Sequence, residues 1–167
     1  MASRFIRSLA LPLALALPLS TGAIALTGPA LAQPATQNGD RTNWKSLATI
    51  ATSLAENGYR VLELELERDG FEAELVDRDG NLVKADINPV SGTLQHIRNR
   101  GRSTVANDPQ WKTLPQVASQ LEAKGYLVRK LETEHDGFEA ELTSQDGQRI
   151  EARIDPKTGE ITSSERD

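Results

Sequence analysis

The run Asp69-Gly70-Phe71-Glu72-Ala73-Glu74-Leu75 is repeated without change as Asp136-Gly137-Phe138-Glu139-Ala140-Glu141-Leu142. Its apolar side chains alternate with carboxylates, the period of a strand with one buried and one wetted face. The Asp-Gly pair ahead of it is a turn signal. The duplication extends outward in both directions. Residues 44–100 align without a gap on residues 111–167: Trp44-Lys45 meets Trp111-Lys112, Gly58-Tyr59 meets Gly125-Tyr126, and Asp79-Gly80 meets Asp146-Gly147. Ile87 meets Ile154, and Pro89 with Gly92 meets Pro156 with Gly159. A match of this length at one fixed offset marks a structural unit written twice.

Each copy carries the same physical signals. Ser46 and Thr113 stand where helix N-caps belong, and Thr113-Leu114-Pro115-Gln116 has capping-box spacing with proline in the first turn. Leu47, Ile50 and Leu54 fall on one helical face, as do Leu114, Val117 and Leu121. Gly58 and Gly125 follow at the position of a left-handed C-terminal cap. Residues 59–67 predict a first strand and residues 71–77 a second, and Asp79-Gly80 predicts a hairpin turn. Val83, Ala85 and Ile87 then form the inward face of a third strand, and Leu94 and Ile161 start a short fourth. The first strand keeps no clean phase. Leu62, Leu64 and Leu66 share one face while Tyr59 and Val61 point to the other, which either a bulge or cover on both faces would reconcile. The expected fold is α+β, two tandem copies of a helix packed on an antiparallel sheet of three to four strands. A unit of this size buries only ~60% of its unfolded surface, so the copies are expected to pack on each other or on a partner. Residues 101–110, polar and containing Asp108-Pro109, read as a linker, and residues 33–43 read as a disordered tail.

Composition narrows the function. At 167 residues, with 38% apolar and 26% charged side chains, the chain has the make-up of a globular protein. Cysteine is absent, which removes disulfide scaffolds, thiolate zinc sites, thiol nucleophiles and lipid attachment through cysteine. A net charge of −5 argues against binding to a phosphate backbone. The N-terminus has the three parts of an export signal: Arg4 and Arg7, an uncharged apolar run over residues 9–19, and Ala30-Leu31-Ala32 before Gln33. Residues 1–32 are therefore read as a signal peptide cut between Ala32 and Gln33. Pro12, Pro18, Gly22, Gly28 and Pro29 interrupt the segment too often for a membrane-spanning helix. The separated Arg4 and Arg7 point away from the twin-arginine route. The expected location is the periplasm, with no stable membrane insertion after cleavage.

The candidate sites are few. Trp44, Tyr59, Phe71, Trp111, Tyr126 and Phe138 form three repeat-equivalent pairs, so a shared core explains them better than a single active site. Trp44 and Trp111, just ahead of the helices, are the candidate partner contacts. His96 and His135 align with Ser163 and Arg68, outside the repeated framework, and read as surface histidines. Glu72, Glu74, Glu139 and Glu141 have the alternation of a solvated sheet face. Four such carboxylates lining a cleft would favour ligand or cation binding, whereas the same four splayed on opposite outer faces would count against it. Asp77-Arg78-Asp79-Gly80-Asn81 opens like a calcium loop, but glycine is missing at its sixth position and the twelfth is Asn88, so Asp77 and Asp79 are only a weak metal alternative to a hairpin turn. No phosphate loop, nucleotide fingerprint or zinc signature is present. No catalytic residue or cofactor is expected, and the protein is not expected to be an enzyme.

These elements, with Gly-Tyr after the helix, Asp-Gly-Phe-Glu-Ala-Glu-Leu and the closing Ile154-Asp155-Pro156-Lys157-Thr158-Gly159-Glu160-Ile161, resemble the PepSY domain family. Ile87-Asn88-Pro89-Val90-Ser91-Gly92-Thr93-Leu94 is a weaker version of that last element, with Asn88 in place of the usual acid. The resemblance covers both repeats. It implies a helix on an antiparallel sheet, similar to one half of the tandem-repeat β-lactamase inhibitor proteins. It also implies a role like that of PepSY domains in propeptides of secreted metallopeptidases and in small bacterial envelope proteins, which inhibit or regulate proteases near the cell surface. No peptidase domain follows within these residues, so the expected partner is a separate envelope protein, a protease among the candidates. The alternative expectation is a small-ligand or cation-binding protein that uses the acidic strand faces or the cleft between repeats.

Overall fold

A computed structural model describes residues 41–166. The expected signal peptide, its cleavage point at Ala32 and Gln33, and residues 33–40 of the expected tail lie outside the described residues. Each repeat is a helix followed by four strands. The first contains α1 (Leu47–Glu56), β1 (Arg60–Leu66), β2 (Phe71–Val76), β3 (Asn81–Ile87) and β4 (Leu94–Arg102). The second contains α2 (Leu114–Ala123), β5 (Leu127–Thr133), β6 (Phe138–Thr143), β7 (Arg149–Ile154) and β8 (Ile161–Arg166).

The helices begin where side chains satisfy their free N–H groups. The Ser46 hydroxyl accepts from the Thr49 N–H, and the Gln116 carboxamide oxygen accepts from the Thr113 N–H at 2.9 Å. They end at Gly58 and Gly125, whose φ values of 89° and 90° lie in the left-handed region that a side chain disfavours. Gly70 and Gly137 answer a different need. A Cβ on either would stand 2.6 Å from the carbonyl oxygen of Ile87 or Ile154, so the turn into β2 or β6 closes only on glycine. In both repeats the Pro89–Gly92 or Pro156–Gly159 turn is tied back to the helix entrance: Lys45 N–H donates to Pro89 and Lys112 N–H to Pro156, at 2.9 and 2.7 Å.

The α+β class and the helix-on-sheet unit are as expected, but the sheet is larger. The strand order is β4-β3-β2-β1-β5-β6-β7-β8, all antiparallel, so two four-stranded meanders fuse into one eight-stranded sheet instead of standing as separate sheets of three to four strands. The seam is the pairing of Glu63, Leu64 and Glu65 with Glu132, Leu131 and Lys130. Leu64 and Leu131 are repeat-equivalent, so the two copies are related by a pseudo-twofold axis through this pair. Both helices cover the same face, α1 on β1 and α2 on β5, and they touch each other. One continuous core results. Ile50, Leu54, Leu64, Leu75, Val117, Leu121, Leu131 and Leu142 are all within 1% of complete burial, and no polar or charged residue is buried among the described residues. Sharing a core across the seam is how two units too small to bury enough surface alone become one stable body.

The irregular phase of the first strand is a bulge. Register shifts between Val61 and Glu63, and at the equivalent Val128 and Lys130, put two residues opposite one. The fourth strands are longer than expected. β4 absorbs Gly101 and Arg102, the first two residues of the expected linker, because their backbones pair with Leu82 and Asn81. Residues 41–43, the end of the expected tail, are likewise held. The Arg41 guanidinium donates to the carbonyls of Glu67 and Arg68 and lies 4.6 Å from the centre of the Trp44 ring.

Candidate functional site

The face of the sheet away from the helices carries the alternate residues of every strand, and the register arranges them in rows. One row runs Lys84, Glu74, Glu63, Glu132, Glu139, Arg153, and the next runs Glu72, Glu65, Lys130, Glu141, Glu151. Glu72, Glu74, Glu139 and Glu141 therefore neither line a cleft nor splay on opposite faces. They share one continuous face, two on each side of the seam. Like charges sit directly opposite at Glu63–Glu74, Glu63–Glu132 and Glu65–Glu72, an arrangement that destabilises a sheet unless cations intervene. They do. Lys130 Nζ lies 3.0 Å from Glu63 and 2.8 Å from Glu132, Lys84 lies 2.5 Å from Glu72, and Arg98 lies 3.7 Å from Glu72 and 3.5 Å from Asp86. The hydrogen bond to Glu132, with further support from Glu63, holds the Lys130 ammonium above its ordinary pKa against the cost of its partial burial. Glu65 is pushed up, first by lost solvation and then by Glu67, while Lys130 pulls it back. The two rows are acidic in sum, with glutamates outnumbering Lys84, Lys130 and Arg153. Glu63, Glu72, Glu132 and Glu139 are engaged with neighbouring cations rather than set out as an acid–base pair.

The two tryptophans hold equivalent positions in the framework and unequal surroundings. Each half-buried ring packs on the second-strand phenylalanine, Trp44 on Phe71 at 6.2 Å and Trp111 on Phe138 at 6.0 Å. Arg41 covers the outer side of Trp44. Trp111 instead forms a wall of a cleft of about 240 Å³ between the repeats, bounded by Ala55 at the end of α1, by Tyr59 and Leu62, by Leu114 at the start of α2 and by Phe138. The outer wall is the connecting segment. The Arg60 guanidinium donates to the carbonyls of Val105 and Ala106 at 2.8 and 3.2 Å and straps it in place. Burial lowers the pKa of Arg60.

The remaining candidates fall into turns. The Asp77 carboxylate accepts from the Asp79 N–H, the Asn81 N–H and the Asn81 amide, at 2.9, 2.8 and 3.0 Å, and these bonds hold it below the usual carboxylate range. Its oxygens organise the hairpin that Asp79 and Gly80 turn. Among the described residues no three His, Cys, Asp or Glu side chains converge as a metal site. His96 is exposed at a left-handed backbone position and pairs with Asp86 at 2.7 Å, and His135 is exposed in the turn before β6. Sequence reasoning passed over the residues that define the cleft and the seam: Ala55, Arg60, Leu62, Glu122 and Lys130. Their signal was available in the repeat. All five are positions where the copies differ, Ala55 against Glu122, Arg60 against Leu127, Leu62 against Arg129 and Glu63 against Lys130.

The family described as "Peptidase propeptide and YPEB domain" matches residues 13–97 and again residues 101–165. The chain belongs to this family, PepSY_2. Each match takes in most of one repeat, the first starting well ahead of it, so the protein is a tandem PepSY chain whose units share one sheet. PepSY domains are propeptide-like and generally non-catalytic. Among solved structures, the crystal structure of a candidate lipoprotein from Clostridium difficile 630 is similar at 17% identity, with a TM-score of 0.44 over 74% of this chain and 95% of that one. No curated protein matches the sequence. No helix among the described residues is long and apolar enough to cross a membrane.

Proposed function

We propose that this tandem PepSY protein is an exported, non-catalytic binding domain that engages another envelope protein in the periplasm, a protease in the sharpest form of the reading. The observation that carries it is the face of the eight-stranded sheet that, among the described residues, no helix covers: one continuous surface with an excess of carboxylates, ordered by the ion pairs of Lys84 and Lys130. Rigid surfaces bind partners without the entropy cost of ordering loops. Propeptide-type family membership supports the same reading. A cation-binding role has less support, because among the described residues no three His, Cys, Asp or Glu side chains converge, and Lys84, Lys130, Arg98 and Arg153 pair with Glu63, Glu72, Glu132 and Glu139 of the acidic rows.

The test is a crosslinking capture with the tagged full chain expressed in its own cell envelope, read by mass spectrometry. One dominant envelope protein that survives moderate salt is expected, and addition of the purified protein should change the activity of a captured protease. No partner above background from a folded bait would overturn the reading.

A further inference from the structure

We infer that the cleft between the repeats is the anchor site of this binding domain, and that it receives one large apolar side chain of a partner polypeptide whose neighbouring residue carries a carboxylate. The inference rests on the protein-binding reading above and deepens it.

The first argument comes from the pseudo-twofold axis. A duplicated unit has two equivalent places for such a cleft, one beside Trp111 and one beside Trp44. The copies have diverged at the residues that would fill them. Beside Trp111 stand Ala55 and Thr133; their equivalents on the Trp44 side are Glu122 and Leu66, both larger. Glu122 spans to α1, where its carboxylate accepts from the Ala48 N–H at 2.9 Å, and Leu66 packs against the core. Arg41 then covers Trp44. One place is filled and the other is open, so the open one is not a by-product of the fold that both copies share.

The second argument is size and lining. Tyr59, Leu62, Trp111 and Phe138 make aromatic and aliphatic walls. The volume of about 240 Å³ is below the ~300 Å³ at which pockets for drug-sized ligands begin. It suits a single anchoring side chain, and anchors of that kind carry most of the energy of a protein interface.

The third argument is charge. Arg60 lines the cleft and, among the described residues, has no carboxylate within ion-pair distance; the acidic residue in the lining, Asp108, forms no ion pair with it, whereas Lys112, also in the lining, acts on Glu160. Arg60 uses two of its N–H groups on the carbonyls of Val105 and Ala106, which leaves further donors of its guanidinium for another acceptor. A half-buried cation without a counter-charge, on a chain of net charge −5, is complementary to an incoming carboxylate.

The chain contains two tryptophans, so their indole N–H resonances report the two places separately. The experiment uses the full chain with ¹⁵N-labelled tryptophan, assigned by Trp44→Phe. The probes are the capped peptides acetyl-Gly-Asp-Phe-Asp-Gly-amide, the same peptide with Asn for both Asp, and the same with Ala for Phe. The acidic Phe peptide should shift the Trp111 signal saturably and leave Trp44 in place, with the Asn version at least five-fold weaker and the Ala version silent. Ala55→Glu, at an exposed helix position, should weaken binding at least ten-fold while the Trp44 signal and the melting temperature hold; Thr133→Leu is the second filling variant should the first perturb the fold. Arg60→Gln should erase the difference between the Asp and Asn peptides. No Trp111 shift, equal shifts of both tryptophans, or binding untouched by both filling variants would overturn the inference. The two readings fail separately. A captured envelope partner indifferent to Ala55→Glu removes the cleft and keeps the protein-binding reading, whereas peptide binding at Trp111 with no captured partner does the reverse.

Discussion

Lys130 is the residue on which the join between the repeats depends electrostatically, and replacing it gives a prediction with a worked magnitude. In a perfectly symmetric duplication position 130 would carry the glutamate found at Glu63. In the register of the seam Lys130 lies opposite Glu65 on β1 and Glu141 on β6, and its ammonium bridges Glu63 and Glu132 at 3.0 and 2.8 Å. At an effective dielectric of ~20 each such contact has a gross attraction of about 4 kcal/mol or more. The three side chains keep 25–34% of their exposure, so water screens most of this, and up to ~1 kcal/mol per pair survives at such sites. Lys130→Met, which keeps the aliphatic stem, should therefore cost about 1–2 kcal/mol by leaving the carboxylates unopposed. Lys130→Glu should cost about 3 kcal/mol or more, because it adds a like charge to the row. Urea unfolding followed by the fluorescence of Trp44 and Trp111 measures both, and Glu63→Gln should recover part of the loss in Lys130→Met. In ~1 M NaCl, where the screening length is ~3 Å, the gap between wild type and Lys130→Met should narrow. A Lys130→Met protein as stable as wild type at low salt, or a gap that salt does not change, would refute the account of the seam.

Leu131→Ala removes a completely buried side chain at the pseudo-twofold axis and should cost about 3–5 kcal/mol, with unfolding still a single transition by both fluorescence and circular dichroism; two separate transitions would mean the repeats fold independently. Glu122→Ala breaks the bond from the α1 backbone to α2 and should cost about 1–2 kcal/mol in thermal unfolding, whereas Ala55→Ser at the equivalent site should be nearly neutral. Acid should destabilise the fold through Asp77 and Asp155. Hydrogen bonds hold the Asp77 carboxylate low, chiefly from Asn81, and those from Thr158 do the same for Asp155. The folded-state pKa of each is depressed, so their contribution is fully present above the unfolded carboxylate value of ~4 and is lost as pH falls through the folded one. The double variant Asp77→Asn, Asp155→Asn should flatten the acid limb of the stability curve, and an unchanged limb would remove these turns as its cause.

Much of the fold was legible because its signals are local. The cap at Ser46, the capping box at Thr113–Gln116, the stop glycines and the alternation of Phe71, Ala73 and Leu75 each depend on a few neighbouring residues, and the stop glycines and the alternation are written twice. The bulge in the first strand was visible as a broken phase, though the sequence offered no choice between a bulge and a strand covered on both sides. Trp44 and Trp111 looked equivalent, since their difference lies in what covers each ring: Arg41 on one side, open space beside Ala55 on the other.

By itself the sequence determined the repeat, the helix-and-meander unit, the absence of any cross-link and the charged face of each strand. It did so because capping, turn chemistry and strand alternation act over a few residues. Only the tertiary structure decided that the units join through β1 and β5 into one sheet, that four glutamates face the same way across the seam with Lys130 between them, and that Trp111, unlike Trp44, stands beside an open cleft. Those outcomes rest on pairing and packing between residues far apart in the chain. Which first strand meets which, and at what register, follows from burying Leu64 against Leu131 under two helices at once, a gain that exists only when both copies are assembled.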